Sequence, residues 1–178
     1  MLYDWYFIKN LYTPDQCQEI VDLCRKNVSA DIKDIHPERK NLDVLSVETN
    51  SLRPTIDKFF DYTKKLNRRM FGLDLWDDLP LAMNVNIYNK NQEYPYHRDK
   101  NTAGESSDVK LTAILNISQE SYTGGQFSLF LGEEKTIPEI DEVGTMLIFP
   151  SYLYHRVSPV TQGQRITISA WLEGPNWK

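Results

Sequence analysis

Near residue 80 the apolar residues change their spacing from that of a helix to that of a strand, so the two parts of the chain must fold differently. Upstream, Thr13-Pro14-Asp15-Gln16 predicts a helix start: Thr13 caps, Pro14 suits the first helical position and Gln16 completes a capping box. Cys17, Ile20, Val21 and Cys24 carry that helix on at helical spacing. A second helix is expected from about 54 to about 70, on Ile56, Phe59, Phe60, Thr63 and Leu66. Residues 3–9 suit a short strand, and residues 30–50 are polar and weakly periodic, a loop with at most a short strand. Downstream the period is two. Ala82, Asn84, Asn86 and Tyr88 alternate with Met83, Val85 and Ile87, and further strands are expected at 109–117, 126–131, 145–149 and 164–172. Gly124-Gly125 and Gly144 supply turns between them. Many short strands with helices to one side predict a sandwich or barrel of mainly β, α+β type.

The last of these strands splits into two faces. Arg165, Thr167, Ser169 and Trp171 alternate with Ile166, Ile168, Ala170 and Leu172. The apolar face packs most simply against the helices. The polar face is either the solvent side of an antiparallel sheet or the wall of a polar pocket, and the pattern allows both.

A chain of 178 residues fits one domain, with a helical part at about 1–79 and a strand core at about 80–172. No internal repeat or low-complexity tract interrupts it. The formal net charge of −5 argues against a general nucleic-acid or anionic-membrane binder but leaves room for one anionic small molecule. No apolar run reaches the length of a membrane span, and the first residues lack the pattern of a signal peptide. The expectation is a soluble, cytoplasmic protein. Cys17 and Cys24, two turns apart on one helical face, are too distant for a disulfide and are expected as buried thiols. Nothing in these features sets an oligomeric state.

His97-Arg98-Asp99 carries the first chemical signal. On an extended backbone the imidazole and the carboxylate, two residues apart, point the same way and can share a metal. The chain has three histidines; His36 lies in a charged loop context and has no role, which leaves His155 as the third ligand. Two histidines and one carboxylate form the facial triad of non-haem iron(II) oxygenases. Ten residues after His155, Arg165 offers a guanidinium fork matched to a carboxylate. Each feature alone has a plain structural explanation, a surface His-Asp pair or an arginine paired with one of the chain's 25 acids. Their order raises the signal.

The run from Tyr88 through Tyr94 and Tyr96 to His97-Arg98-Asp99 resembles the Tyr-x-x-Gly-x-x-Tyr-x-x-His-x-Asp segment of prolyl 4-hydroxylase-like Fe(II)/2-oxoglutarate oxygenases. Residues 111–116, Gly124-Gly125-Gln126-Phe127, 144–149, 155–160 and 165–171 resemble the strands and turns that follow, so the likeness covers roughly 80–172. It implies a double-stranded β-helix, or jelly roll, with N-terminal helices on one sheet. It also implies Fe(II) held by His97, Asp99 and His155, with 2-oxoglutarate chelating the iron and its distal carboxylate on Arg165. Tyr88 matches a co-substrate-bonding tyrosine, and Thr167 and Ser169 share the face of Arg165. The implied reaction consumes O2, turns 2-oxoglutarate into succinate and CO2, and hydroxylates an unactivated C–H bond.

Two positions depart from the pattern. Asn91 stands where glycine is usual, though asparagine tolerates the left-handed conformation. Asn116 replaces a tyrosine that contacts the co-substrate in some relatives; its amide can still hydrogen-bond there. The substrate is expected to be a small molecule or a peptidyl side chain, prolyl or other, with Asn84, Asn86 and Trp171 as contacts and residues 30–50 and 100–108 as a lid. Other readings are a non-catalytic jelly-roll binding protein, a zinc site on the same ligands, and a nucleic-acid demethylase. The last needs a second arginine on the final strand, which residues 166–172 lack.

Overall fold

The computed structural model describes residues 3–28, 41–99 and 107–177. In chain order the elements are β1 (Tyr6–Ile8), α1 (Pro14–Lys26), β2 (Asp43–Glu48), α2 (Asp57–Leu66), β3 (Ala82–Tyr88), β4 (Tyr94–His97) and β5 (Ser107–Asn116). There follow β6 (Thr123–Gly124), β7 (Phe127–Phe130), β8 (Glu134–Thr136), β9 (Met146–Pro150), β10 (Tyr154–Val157), β11 (Val160–Gln162) and β12 (Arg165–Pro175).

The helices begin and end for local reasons. The capping box forms: Gln16 N donates to Thr13 Oγ1 at 3.3 Å and Thr13 N to Gln16 Oε1 at 3.0 Å. α2 starts later than expected, at Asp57, and runs into a widened turn over Asn67–Phe71. Gly72, at φ 63°, stops it, and the Asn67 side chain pairs with both backbone groups of Leu73.

A six-stranded sheet runs in the order β1-β9-β5-β12-β3-β2 and faces a four-stranded sheet, β4-β10-β7-β8; β11 and β6 form a small ribbon. Every pairing is antiparallel. This is the jelly roll. Two apolar layers hold it together. On the outer face of the large sheet, Cys17, Ile20, Phe59 and Phe60 of the helices pack on Met83, Leu111, Ala113, Ile148, Ile166, Ile168, Ala170 and Leu172. Between the sheets lie Tyr88, Ile114, Phe127, Leu129, Leu147, Phe149 and Val157. Each large side chain so buried contributes about 1.5–3 kcal/mol relative to exposure. Both cysteines are free and buried.

β12 is shared by both layers. Its apolar residues face the helices, and Arg165, Thr167 and Ser169 are buried on the other side, between the sheets. The polar face is therefore a pocket wall, not a solvent face. Residues 43–48, expected within a mostly loop segment, form a strand paired along its whole length with β3. Backbone hydrogen bonds to a regular neighbour make this edge strand, where its side chains show little alternation. Among the described residues no helix is long and apolar enough to cross a membrane.

Candidate active site

Strand pairing brings the two histidines together. His97 on β4 and His155 on β10 are direct partners across antiparallel strands. Asp99 follows just past β4, where its N–H donates to Ser151 O at 3.1 Å. Its Oδ2 accepts from Thr112 Oγ1 on β5 at 2.8 Å, so both sheets fix this carboxylate. Nε2 of His97 is 3.6 Å from Asp99 Oδ1, and Nε2 of His155 is 3.4 Å from Oδ2. One ligand atom from each residue lies within 4.8 Å of the others, the geometry of a site for one metal ion.

The second nitrogen of each ring fixes its tautomer. His97 Nδ1 lies 2.8 Å from Pro95 O and His155 Nδ1 lies 3.0 Å from Leu153 O. A carbonyl only accepts, so each Nδ1 carries the hydrogen and each Nε2 turns a lone pair to the shared point. Ring orientation is set by packing: His97 stacks on Tyr94 at 3.5 Å between centroids, and His155 meets Phe149 at 4.8 Å.

The same cavity is lined by Arg165, with Asn86, Tyr88, Thr167, Ser169 and Trp171. Arg165 is 1% exposed, yet its Nε and Nη2 have no hydrogen-bond partner. These two donors form one edge of the guanidinium, the edge with which Arg53 holds both oxygens of Asp57 on the surface. Leaving a buried charged donor pair unsatisfied is costly, so this edge is chemically suited to a carboxylate brought in by a ligand. Cα-level crowding helps to place it: a Cβ on Gly125 would stand 3.0 Å from Arg165 Cδ.

Two phenols and one acid surround the guanidinium. Burial pushes Tyr88 up to about 12, against the opposing pull of Arg165, so its hydroxyl stays protonated and able to donate. Burial likewise raises Tyr122 and Asp141, and in each case Arg165 opposes the shift. Free space in the cavity is about 30 Å³. A larger open cleft of about 580 Å³, lined by residues 118–124, Gln126, Asp141 and Val143, contains none of His97, Asp99, His155 and Arg165.

Not every expected contact lies at the cavity. Asn116 does not line it: its Nδ2 donates to Ile140 O at 2.8 Å and Asp141 O at 3.0 Å, and its Oδ1 accepts from Ser118 N. Its Nδ2 also lies 3.3 Å from Tyr122 Oη, so the amide braces the turn that carries Asp141 and the phenol beside it. Asn84 is also off the cavity; its Oδ1 accepts from Ser46 Oγ at 3.1 Å. Asn86 does line it and donates to Ser169 Oγ at 3.0 Å. Asn91 takes the left-handed conformation, φ 68°, that its place in the turn demands. His36 and most of the expected lid, residues 30–40 and 100–106, lie outside the described residues. Sequence reasoning missed Thr112, Ser151 and Tyr122, and it named Tyr94 as part of the motif without a role. Only Thr112 left a signal, as a hydroxyl in an apolar strand.

Comparison with known proteins agrees with this geometry. The sequence pattern of the 2OG-Fe(II) oxygenase superfamily matches residues 83–173. A PKHD-type hydroxylase of Rippkaea orientalis is 34% identical over 90 residues, covering 48% of this chain and 40% of that protein. One from Alteromonas mediterranea is 33% identical over 95 residues, covering 49% and 41%. The chain thus spans well under half the length of these curated relatives. Among solved structures, a viral collagen prolyl hydroxylase from Paramecium bursaria Chlorella virus-1 aligns with TM-score 0.75 at 17% identity, over 97% of both chains. A Pseudomonas putida prolyl-4-hydroxylase aligns with TM-score 0.73 at 16% identity, over 98% of this chain and 94% of that one. A Trichoplax adhaerens prolyl hydroxylase in complex with a hypoxia inducible factor peptide fragment gives 0.65 at 14%, over 95% and 83%. The structural likenesses establish the jelly roll. The sequence match runs from within β3 to within β12 and takes in the whole triad and Arg165, and on that ground the chain belongs to the 2OG-Fe(II) oxygenase superfamily, whose members use Fe(II), 2-oxoglutarate and O2.

Proposed function

We propose that the chain is an Fe(II)- and 2-oxoglutarate-dependent hydroxylase acting on an amino-acid side chain of a peptide, a prolyl ring first among the candidates. One observation carries the reading: the cavity that holds the His97, Asp99 and His155 ligand atoms also holds a buried Arg165 with two unsatisfied donors on one edge. A zinc site or a passive metal site has no use for that second feature. The peptide class is supported by the prolyl hydroxylases among its structural neighbours, one of them bound to a peptide.

In this reading His97, Asp99 and His155 hold Fe(II), and a triad of this kind leaves coordination positions open for a chelating 2-oxo acid and for O2. When bound, Fe(II) with 2-oxoglutarate and O2 supplies the oxidation that hydroxylates a C–H bond and releases succinate and CO2. The chain's own residues orient and shield. Pro95 O and Leu153 O keep both imidazoles in the ligating tautomer. Thr112 holds one oxygen of Asp99 and so fixes which lone pairs remain. Arg165 grips the distal carboxylate, and the neutral Tyr88 phenol, with Thr167 and Ser169, donates beside it. Phe127, Ile114 and Val157 keep water from that end of the cavity. Asn86 and Trp171 stand toward the substrate. Residues 1–178 act as one oxygenase unit.

The test is anaerobic addition of Fe(II) and then 2-oxoglutarate to metal-free protein. A weak visible charge-transfer band is expected, absent in His155→Ala. Arg165→Lys should need at least tenfold more 2-oxoglutarate, because a point charge cannot reproduce the guanidinium fork. A folded, iron-loaded protein without the band would overturn the co-substrate assignment.

A further inference from the structure

Tyr122 lies between two groups that attract each other. Its hydroxyl donates to Asp141 Oδ1 at 3.2 Å, and it bears on the buried Arg165 guanidinium by charge and by hydrogen bonding. We propose that Tyr122 is a positioning residue for the co-substrate: its phenol keeps Arg165 from pairing with Asp141, and so leaves the Nε and Nη2 edge free for the distal carboxylate of the 2-oxo acid. The inference rests on the hydroxylase reading above.

A buried guanidinium with donors to spare closes on a carboxylate of its own chain when it can reach one, because an unpaired buried charge is costly. The pull is present here. Burial raises the Asp141 carboxyl, and the Arg165 charge leads the influences that oppose the rise, followed by Tyr122, while Glu139 adds to it. Tyr122 and Asp141 are half-buried and also line the open cleft of about 580 Å³, so solvent reaches the acid from the side away from Arg165 and helps to keep it ionised.

What prevents the pairing is local. A phenol has one hydrogen to give and lone pairs to receive with. Asn116 Nδ2 and Arg165 only donate, and the Asp141 carboxylate only accepts. The hydrogen therefore goes to Asp141, and the oxygen turns its lone pairs to the other two. Asp141 has its charge answered without Arg165. Asn116 also donates to Ile140 O and Asp141 O, which fixes the backbone of that turn and keeps the carboxylate from advancing. The other side is fixed by Gly125. A Cβ there would stand 3.0 Å from Arg165 Cδ, 3.0 Å from Val160 Cγ2 and 3.5 Å from Tyr122 Cε2, so the arginine stem and the phenol ring lie against the same bare backbone. Stem, spacer and acid are each held in place, and the donors that remain without a partner are Nε and Nη2. Without the phenol oxygen Asp141 loses its donor and Arg165 its spacer, and the two charges draw the guanidinium off the cavity.

The experiment compares two 2-oxo acids of equal carbon number on anaerobic, Fe(II)-loaded protein. One is 2-oxoglutarate; the other is 2-oxopentanoate, which has a methyl group in place of the distal carboxylate. The charge-transfer band reads the affinity for each. Tyr122→Phe should lower the affinity for 2-oxoglutarate by about tenfold or more, the worth of a hydrogen bond to a charged group, and leave 2-oxopentanoate unchanged. A merely structural loss would lower both. Adding Asp141→Asn to Tyr122→Phe should restore most of the loss, because the amide no longer attracts Arg165, and the same change should gain much less where Tyr122 is present. Such non-additivity marks groups that act on one another. Equal losses for the two acids, no loss at all, or equal gains from Asp141→Asn in both backgrounds would overturn the positioning role alone. An unaltered protein that binds 2-oxoglutarate no better than 2-oxopentanoate overturns the co-substrate assignment itself, and this inference with it.

Discussion

Asp99 is held at both its side chain and its backbone. One oxygen accepts from Thr112 Oγ1, which itself lies 3.2 Å from Ser151 Oγ, and the Asp99 backbone N–H is held by Ser151 O. A carboxylate so held does not have to be ordered when metal arrives. Thr112→Val removes the hydroxyl at nearly constant shape, and metal affinity should fall by about 10-fold or more, in the usual range for loss of a partner behind a ligand. Thr112→Ser should recover most of it. Competition with a chelator under anaerobic conditions measures both, and equal affinities for valine and threonine would show that the hydroxyl is irrelevant to the site. The ligands themselves could be read from the chain, because an i, i+2 pair on extended backbone shares a face and Arg165, Thr167 and Ser169 follow by alternation. Thr112 shows in the chain only as a hydroxyl in an apolar strand and Tyr122 not at all, since only the fold brings their partners Asp99 and Asp141 near. Asn116 differs: its place in the motif suggests a ligand contact, and in the fold its amide is bonded to Ile140 O, Asp141 O and Tyr122 Oη, away from the cavity lining.

Strands with a run of apolar residues were legible, down to the short β1 and β7, and the polar two- and three-residue pieces were not. β3, β5 and β12 each have an apolar face repeated several times and β9 is a continuous apolar run, whereas β6, β8 and β11 are two or three residues long and carry no period. What fixes such short pieces is the turn beside them. Gly124, on β6 opposite Val160, has φ 72°, and a Cβ there would stand 2.2 Å from Pro159 O. Gly132, at φ 88°, has nothing within 4 Å of such a Cβ. Both alanine variants suffer the left-handed penalty of about 1–2 kcal/mol, but only Gly124→Ala also pushes the β6–β11 ribbon apart. Gly124→Ala should therefore be the less stable of the two by a clear margin in urea unfolding. It should also weaken 2-oxoglutarate binding, because the next residue, Gly125, packs on Arg165. Equal losses would mean that the ribbon closes without this contact.

Across the whole molecule the large sheet separates two worlds, the helix layer with its thiols on one side and the cavity on the other. Burial pushes Cys17 up to about 11 and Cys24 up to about 12, from an ordinary 9.0. Above pH 9 the unfolded chain releases protons that the folded chain keeps, so this contribution to stability is full below pH 9 and is lost as pH rises through 11 to 12. Tyr12 and Tyr88, both pushed up to about 12, extend the fall above pH 10. Urea midpoints should drop between pH 9 and 11, and Cys24→Ala should flatten the drop; a midpoint constant across that interval would contradict the burial of these groups. At neutral pH the same burial makes the thiols reporters of opening. If helices and jelly roll form one cooperative unit, Cys17 and Cys24 react with a thiol reagent only through global unfolding, at matched rates. A ligand in the cavity then protects them from across the sheet. Anaerobic Fe(II) alone at about 100 times its Kd stabilises by about 2.7 kcal/mol, which is about 100-fold slower labelling, and 2-oxoglutarate added to it slows labelling further. Labelling that is fast and indifferent to ligand would mean instead that α1 opens by itself, and that the helix layer covers the sheet without sharing its stability.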